Sequence, residues 1–185
     1  MSSEQAMPRD AAADGRTDLA AARRVLEMEA AGLADLSAAL GDSFTVAVDL
    51  LIAVAGRIVV TGMGKSGHIG RKIAATLAST GSPALFVHPA EASHGDLGMI
   101  KQGDDAIIAL SNSGETTELA DVVDYAKRFE IPLIGITARA DSALAEAADA
   151  ALVLPASAEA CPMGLAPTTS TTMMQIGRAS CRERV

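Results

Sequence analysis

The stretch TGMGKSGHIG (residues 61–70) follows directly on the apolar run RIVV (residues 57–60). Beyond it, residues 68–80 carry Ile69, Ile73 and Leu77 on one helical face, so the whole reads as strand, turn and helix. Two nucleotide readings compete for the turn. Gly64-Lys65-Ser66 matches the end of a P-loop, but that loop needs a glycine five positions before Gly64, and the residue there is Val59, inside the strand. The turn is too short to wrap a triphosphate, which sets ATP and GTP aside. Gly62-x-Gly64-x-x-Gly67 fits a dinucleotide fingerprint locally, yet that fold needs an acidic residue closing its second strand. Here the second strand ends Val87-His88-Pro89, and Glu91 lies beyond the proline. A plainer reading gives these glycines to the backbone alone, as a tight strand-to-helix turn.

The same alternation extends outward. Apolar runs at 57–61, 84–88, 105–111, 132–137 and 150–155 read as strands, and the segments 68–80, 116–129 and 142–148 read as helices. A short irregular or helical piece is expected at 91–100, and a last helix after Pro167. The strands are continuous apolar runs, so both sheet faces are covered, which makes the fold class α/β: a five-stranded, parallel, doubly wound sheet. Two helices lead into it, over 19–40 and 44–55, the second ended by Gly56. Leu19, Ala22, Leu26, Glu29, Leu33, Leu36 and Leu40 follow a 3–4 spacing, a seam that packs on a partner helix. Residues 1–17 are polar and expected to be disordered.

With 185 residues the chain is the size of one domain, and almost without aromatics (no Trp, one Tyr, three Phe) its core must be built from Ala, Val, Leu, Ile and Met. A formal net charge of −8 argues against nucleic acid as a partner, because that binding depends on clustered Lys and Arg. The two cysteines, Cys161 and Cys181, have no metal-ligand spacing, the start lacks an apolar leader, and the most apolar stretch, FTVAVDLLIAVAG, is interrupted by Asp49. A cytoplasmic protein with no membrane partner is expected.

A second segment, ALSNSGETTEL (residues 109–119), brings Ser111, Asn112, Ser113, Gly114 and Thr116 to the end of a strand that opens a helix. An ordinary helix cap needs one such residue. Three hydroxyls and a glycine within six positions suit a single phosphate, held by hydroxyls and backbone N–H groups. Sheets of this kind bind ligands at the carboxyl ends of their strands, near the point where strand order reverses. A phosphate loop with no nucleotide pocket around it points to a phosphorylated sugar.

TGMGKSGHIGRKIAATLASTGSPALFVHPAEASHGDLGMI, SNSGETTEL and EACPMGLAPTTSTT together resemble the sugar-isomerase (SIS) domain of bacterial arabinose 5-phosphate isomerases, over roughly residues 20–175. The resemblance implies a flavodoxin-like strand order and an SIS domain at 18–175. It implies interconversion of D-ribulose 5-phosphate and D-arabinose 5-phosphate for Kdo and lipopolysaccharide synthesis, by a homo-oligomer, a tetramer. A phosphosugar-binding regulatory domain without catalysis, or another SIS sugar-phosphate isomerase, is the alternative. Members of the family continue into a Ser-His-Pro-Gly-Gly segment, which supplies a further histidine, and into CBS domains. Here residues 176–185, beginning near Gly177, are expected to form an atypical tail in which the last helix breaks, and a chain short of one acid–base group is expected to isomerise poorly.

Aldose–ketose isomerisation needs a base near C1 and C2, a group that stabilises the developing oxyanion, and a proton path, but no cofactor. Lys65 is a loop cation or, as the resemblance implies, a site residue. Glu118 is a helix-end charge or, on the resemblance, the catalytic residue in preference to Glu115. His94, on the irregular piece, can shuttle protons near neutrality. Gly64, Ser66, His88, Ser111, Asn112, Ser113 and Thr116 are the expected substrate contacts. His68 reads as a helix-surface residue. The histidine spacings fit no zinc motif, so no metal is expected to be required, although His88 and His94 could take up zinc adventitiously.

Overall fold

The structure, a computed structural model, describes residues 11–161 and 167–180, with side chains described from residue 17 onward. Helices α1 (Ala11–Ala39) and α2 (Asp42–Ala53) lead in and meet at 83° across the break at residues 40–41. Then follow β1 (Ile58–Gly62), α3 (Gly64–Ser79), β2 (Ala84–Val87), α4 (Pro89–Ser93), a 3-10 turn (Asp96–Met99) and β3 (Ala106–Leu110). A second 3-10 turn (Thr117–Leu119) precedes α5 (Ala120–Arg128), and β4 (Leu133–Thr137), α6 (Ala143–Ala147), β5 (Ala150–Val153) and α7 (Thr169–Ala179) complete the chain.

The five strands form one parallel sheet in the order β2-β1-β3-β4-β5, the flavodoxin-like order. Side chains alternate across it. Ile58, Val60, Ile108, Leu110, Ile134 and Ile136 pack with α2, α3 and α7, while Val59, Ile107 and Leu133 pack with α4, α5 and α6. Each fully buried Ile or Leu contributes about 1.5–3 kcal/mol, and covering both faces explains why the strands read as unbroken apolar runs. The order reverses between β1 and β3, where Gly62 lies opposite Leu110.

Three expectations are corrected. The first helix starts at Ala11, so residues 11–17 are helical, continuing the alanine-rich first turns; residues 1–10 lie outside the described residues. Helix α2 is capped at Val54, short of Gly56, whose lack of a side chain instead makes room for the buried Asp105 carboxylate. The last helix does not break at Gly177. It runs to Ala179, with Ile176, Gly177 and Ser180 buried, because α7 crosses α3 at this glycine and a methyl group there would stand 2.7 Å from Cγ1 of Ile73. Residues 176–180 therefore pack as part of the fold; 181–185, including Cys181, lie outside the described residues.

Candidate active site

The β1–α3 turn is shaped by its glycines. Gly64 has φ +56, and a Cβ at Gly67 would stand 2.6 Å from the Gly62 carbonyl oxygen. A Cβ at Gly62 would meet the Leu110 carbonyl at 3.0 Å and the Ser66 carbonyl at 3.2 Å, so the first turn of α3 lies against the end of β3. Each glycine has a backbone reason, as the plainer reading held, and the outcome is that the Lys65–Ser66 turn and the Ser111 turn leave the sheet side by side at the switch point. Lys65 and Gly64 are exposed there and Ser66 is half-buried.

The turn after β3 uses its hydroxyls unequally. Ser111 is buried; its Oγ accepts from the Gly114 N–H at 3.0 Å and lies 2.7 Å from Oγ1 of Thr116. The exposed Ser113 Oγ accepts from the Glu115 N–H at 3.2 Å. Gly114 has φ +69, which lets the turn fold back on Ser111. The N–H groups of Asn112, Ser113 and Thr116 make no hydrogen bond within the described protein. Thr116 precedes the 3-10 turn without capping it. The cluster is therefore not an ordinary helix cap: it is a turn held by its own hydroxyls, with main-chain donors left over.

Glu118 sits in the 3-10 turn ahead of α5, not in the helix itself; it is exposed, and Thr117 Oγ1 donates to its Oε2 at 3.0 Å. His88 caps α4, its Nδ1 accepting from the Ala90 N–H at 3.3 Å. His94 ends the same helix and is exposed, and α4 packs against the turn that carries Glu118. The structure thus brings Lys65, Ser111–Thr116, His88, His94 and Glu118 to the carboxyl edge of the sheet, on neighbouring connections. His68 is exposed on α3, as expected. Cys161 is half-buried, and CPMGLAPTTSTT falls partly on residues 162–166, outside those described. Thr168 precedes α7 without a side-chain cap bond; its hydroxyl accepts from Ala160 N–H at 3.1 Å.

Sequence reasoning missed two polar groups. Thr61, 1 % exposed at the end of β1, carries a hydroxyl without a partner among the described residues, and the only signal was a threonine in an apolar strand. Glu115, set aside there as the catalytic residue, is the other, missed as a link between turns: its Oε1 accepts from the Ala143 N–H at 2.9 Å. Beside it, the Arg139 guanidinium bonds both oxygens of Asp141 at 3.2 Å, which holds that carboxyl below its ordinary range and Arg139 above its own. Among the described residues no three His, Cys, Asp or Glu stand together to hold a metal, and no single helix is long and apolar enough to cross a membrane.

A doubly wound parallel sheet with a glycine turn and a hydroxyl turn side by side at its switch point defines the class: an α/β domain with main-chain donors and hydroxyls gathered at the carboxyl ends of its strands. Within that class the chain belongs to the SIS-domain family, whose profile matches residues 51–176. It is 53 % identical over 152 residues to the arabinose 5-phosphate isomerase KdsD of Salmonella typhi, covering 82 % of this chain and 46 % of that protein. The KdsD of Pseudomonas aeruginosa is 54 % identical over the same coverage. The chain spans about half the length of the curated relatives it matches. A solved structure, that of E. coli CFT073 c3406 in complex with arabinose 5-phosphate, superposes with a TM-score of 0.83 at 38 % identity, covering 89 % of this chain and 88 % of that one.

Proposed function

We propose that the protein is an arabinose 5-phosphate isomerase, interconverting D-arabinose 5-phosphate and D-ribulose 5-phosphate through an enediol, and that it serves Kdo and lipopolysaccharide synthesis in the cytoplasm. One observation carries the reading: the turn 111–116 leaves three N–H groups and the Ser113 side chain at the carboxyl edge of the sheet, beside the Lys65 turn. The names of the curated relatives and the arabinose 5-phosphate bound to the E. coli protein support the choice of sugar.

In this reading the phosphate sits on Asn112, Ser113 and Thr116, with Ser111 shaping the turn, and Gly64, Ser66 and His88 complete the contacts. Glu118 removes the proton from C2 of the aldose. The electron pair forms the C1–C2 double bond of an enediolate, whose oxygen charge Lys65 offsets. His94 moves the proton between O1 and O2, and Glu118 returns its proton to C1 to give the ketose. Carbon oxidation levels exchange within one molecule, so no redox cofactor is consumed and no metal is required. The assembly is a homo-oligomer, a tetramer, for which the leucines exposed on α1 supply apolar surface.

Calorimetric titration with D-arabinose 5-phosphate and with ATP tests the ligand class, and a coupled assay with and without EDTA tests the reaction. Saturable binding of the sugar phosphate, no binding of ATP and slow, EDTA-insensitive turnover are expected. Tighter binding of ATP would overturn the sugar-phosphate reading.

A further inference from the structure

The turn after β3 is tied to the neighbouring connection, the one that follows β4, as well as to itself. Helix α6 opens with N–H groups that no carbonyl of its own can satisfy. Ala145 donates to the Ser142 hydroxyl at 3.4 Å, as in any serine-capped helix. The other two reach the phosphate turn: Leu144 N–H donates to the Gly114 carbonyl at 3.1 Å, and Ala143 N–H to Oε1 of Glu115 at 2.9 Å. The inner limb is held in the same way. Ala138 N–H and the Thr137 hydroxyl donate to the Asn112 carbonyl at 3.0 and 3.3 Å. Between these ties Gly114 is pressed against Ser142 so closely that a side chain there would collide with it, and would also stand 2.9 Å from Oγ1 of Thr137. The turn 111–116 is thus one half of a clasp whose other half is the connection from β4 into α6.

We infer that Glu115 is a positioning residue: by capping α6 it anchors the outer limb of the turn, so that the N–H groups of Ser113 and Thr116, which flank it, converge on one phosphate. The identity of the ligand rests on the function proposed above; the clasp does not.

The test compares the wild-type protein with Glu115→Ala and Glu115→Gln. Two quantities are read: amide hydrogen exchange at Ala143, Leu144 and Gly114, and the Kd for D-arabinose 5-phosphate, with inorganic phosphate as a second probe. Loss of one cap should speed exchange at Ala143 and weaken sugar-phosphate binding by roughly five- to tenfold in Glu115→Ala. Glu115→Gln keeps an acceptor oxygen and should stay within about threefold of wild type on both measures. A merely stabilising residue would lower the melting temperature and leave Kd unchanged. Wild-type exchange and affinity in Glu115→Ala would overturn the inference, as would a Glu115→Gln variant as impaired as the alanine one, since charge and not the cap would then be at work. If the wild-type protein binds neither probe, the functional reading fails, and the exchange rates alone decide the clasp.

Discussion

Glu118, the base in the function proposed above, stands on a solvent-facing 3-10 turn with one carboxylate oxygen taken by Thr117. Replacing it by glutamine should lower kcat by roughly two orders of magnitude or more and change the Kd for the sugar phosphate little, because only the transition state needs the base. Near-normal turnover would return Glu118 to the role of a helix-end charge. At this scale the sequence was informative about which residues gather. Three hydroxyls and a glycine in six positions marked the turn as more than a helix cap. It was silent on the division of labour, because which hydroxyl turns inward is decided by the positive φ of Gly114 and the fold-back it permits. The role of Glu115 was hidden for a related reason: its partner, Ala143, is 28 positions away and becomes a neighbour only when β4 lies beside β3.

Helix α7 supplies an element whose composition misleads. Gly177 looks like a stop, and helix propensity alone predicts that Gly177→Ala would stabilise the protein by about 1 kcal/mol. The crossing with α3 reverses the sign, since the new methyl meets Ile73, and overpacking of this kind costs about 1–3 kcal/mol. Urea unfolding should therefore show Gly177→Ala less stable than wild type, with part of the loss recovered when Ile73→Val is added; a more stable single variant would refute the contact. Helix α3 was legible from its 3-4 pattern, because its buried stripe of Gly67, Gly70, Ile73, Ala74 and Leu77 is what a helix lying on a sheet requires. The start of α1 was not, because a polar alanine-rich segment can form a helix without any buried face to betray it.

At the scale of the whole molecule, α1 carries the expected seam but uses only its later part at home. Gly32 and Leu36 are buried, α1 packs on α7, and Leu19, Leu26 and Leu40 remain 53 %, 69 % and 41 % exposed. Sedimentation of the protein should show an oligomer, and Leu19→Glu combined with Leu26→Glu should shift it toward monomer; an unchanged sedimentation profile would place the interface elsewhere. The parallel sheet was legible because strands covered on both faces carry no polar alternation, whereas the strand order came from likeness to a family. That order has a consequence during synthesis. The inner strand β1 pairs with the central strand β3 through Ile58 and Ala106, about fifty residues apart, and no hairpin offers it an earlier partner on that side. At ribosomal speed the newborn chain must carry this apolar strand without its central neighbour for roughly two to ten seconds, ample time for a chaperone waiting at the exit tunnel to take hold of it.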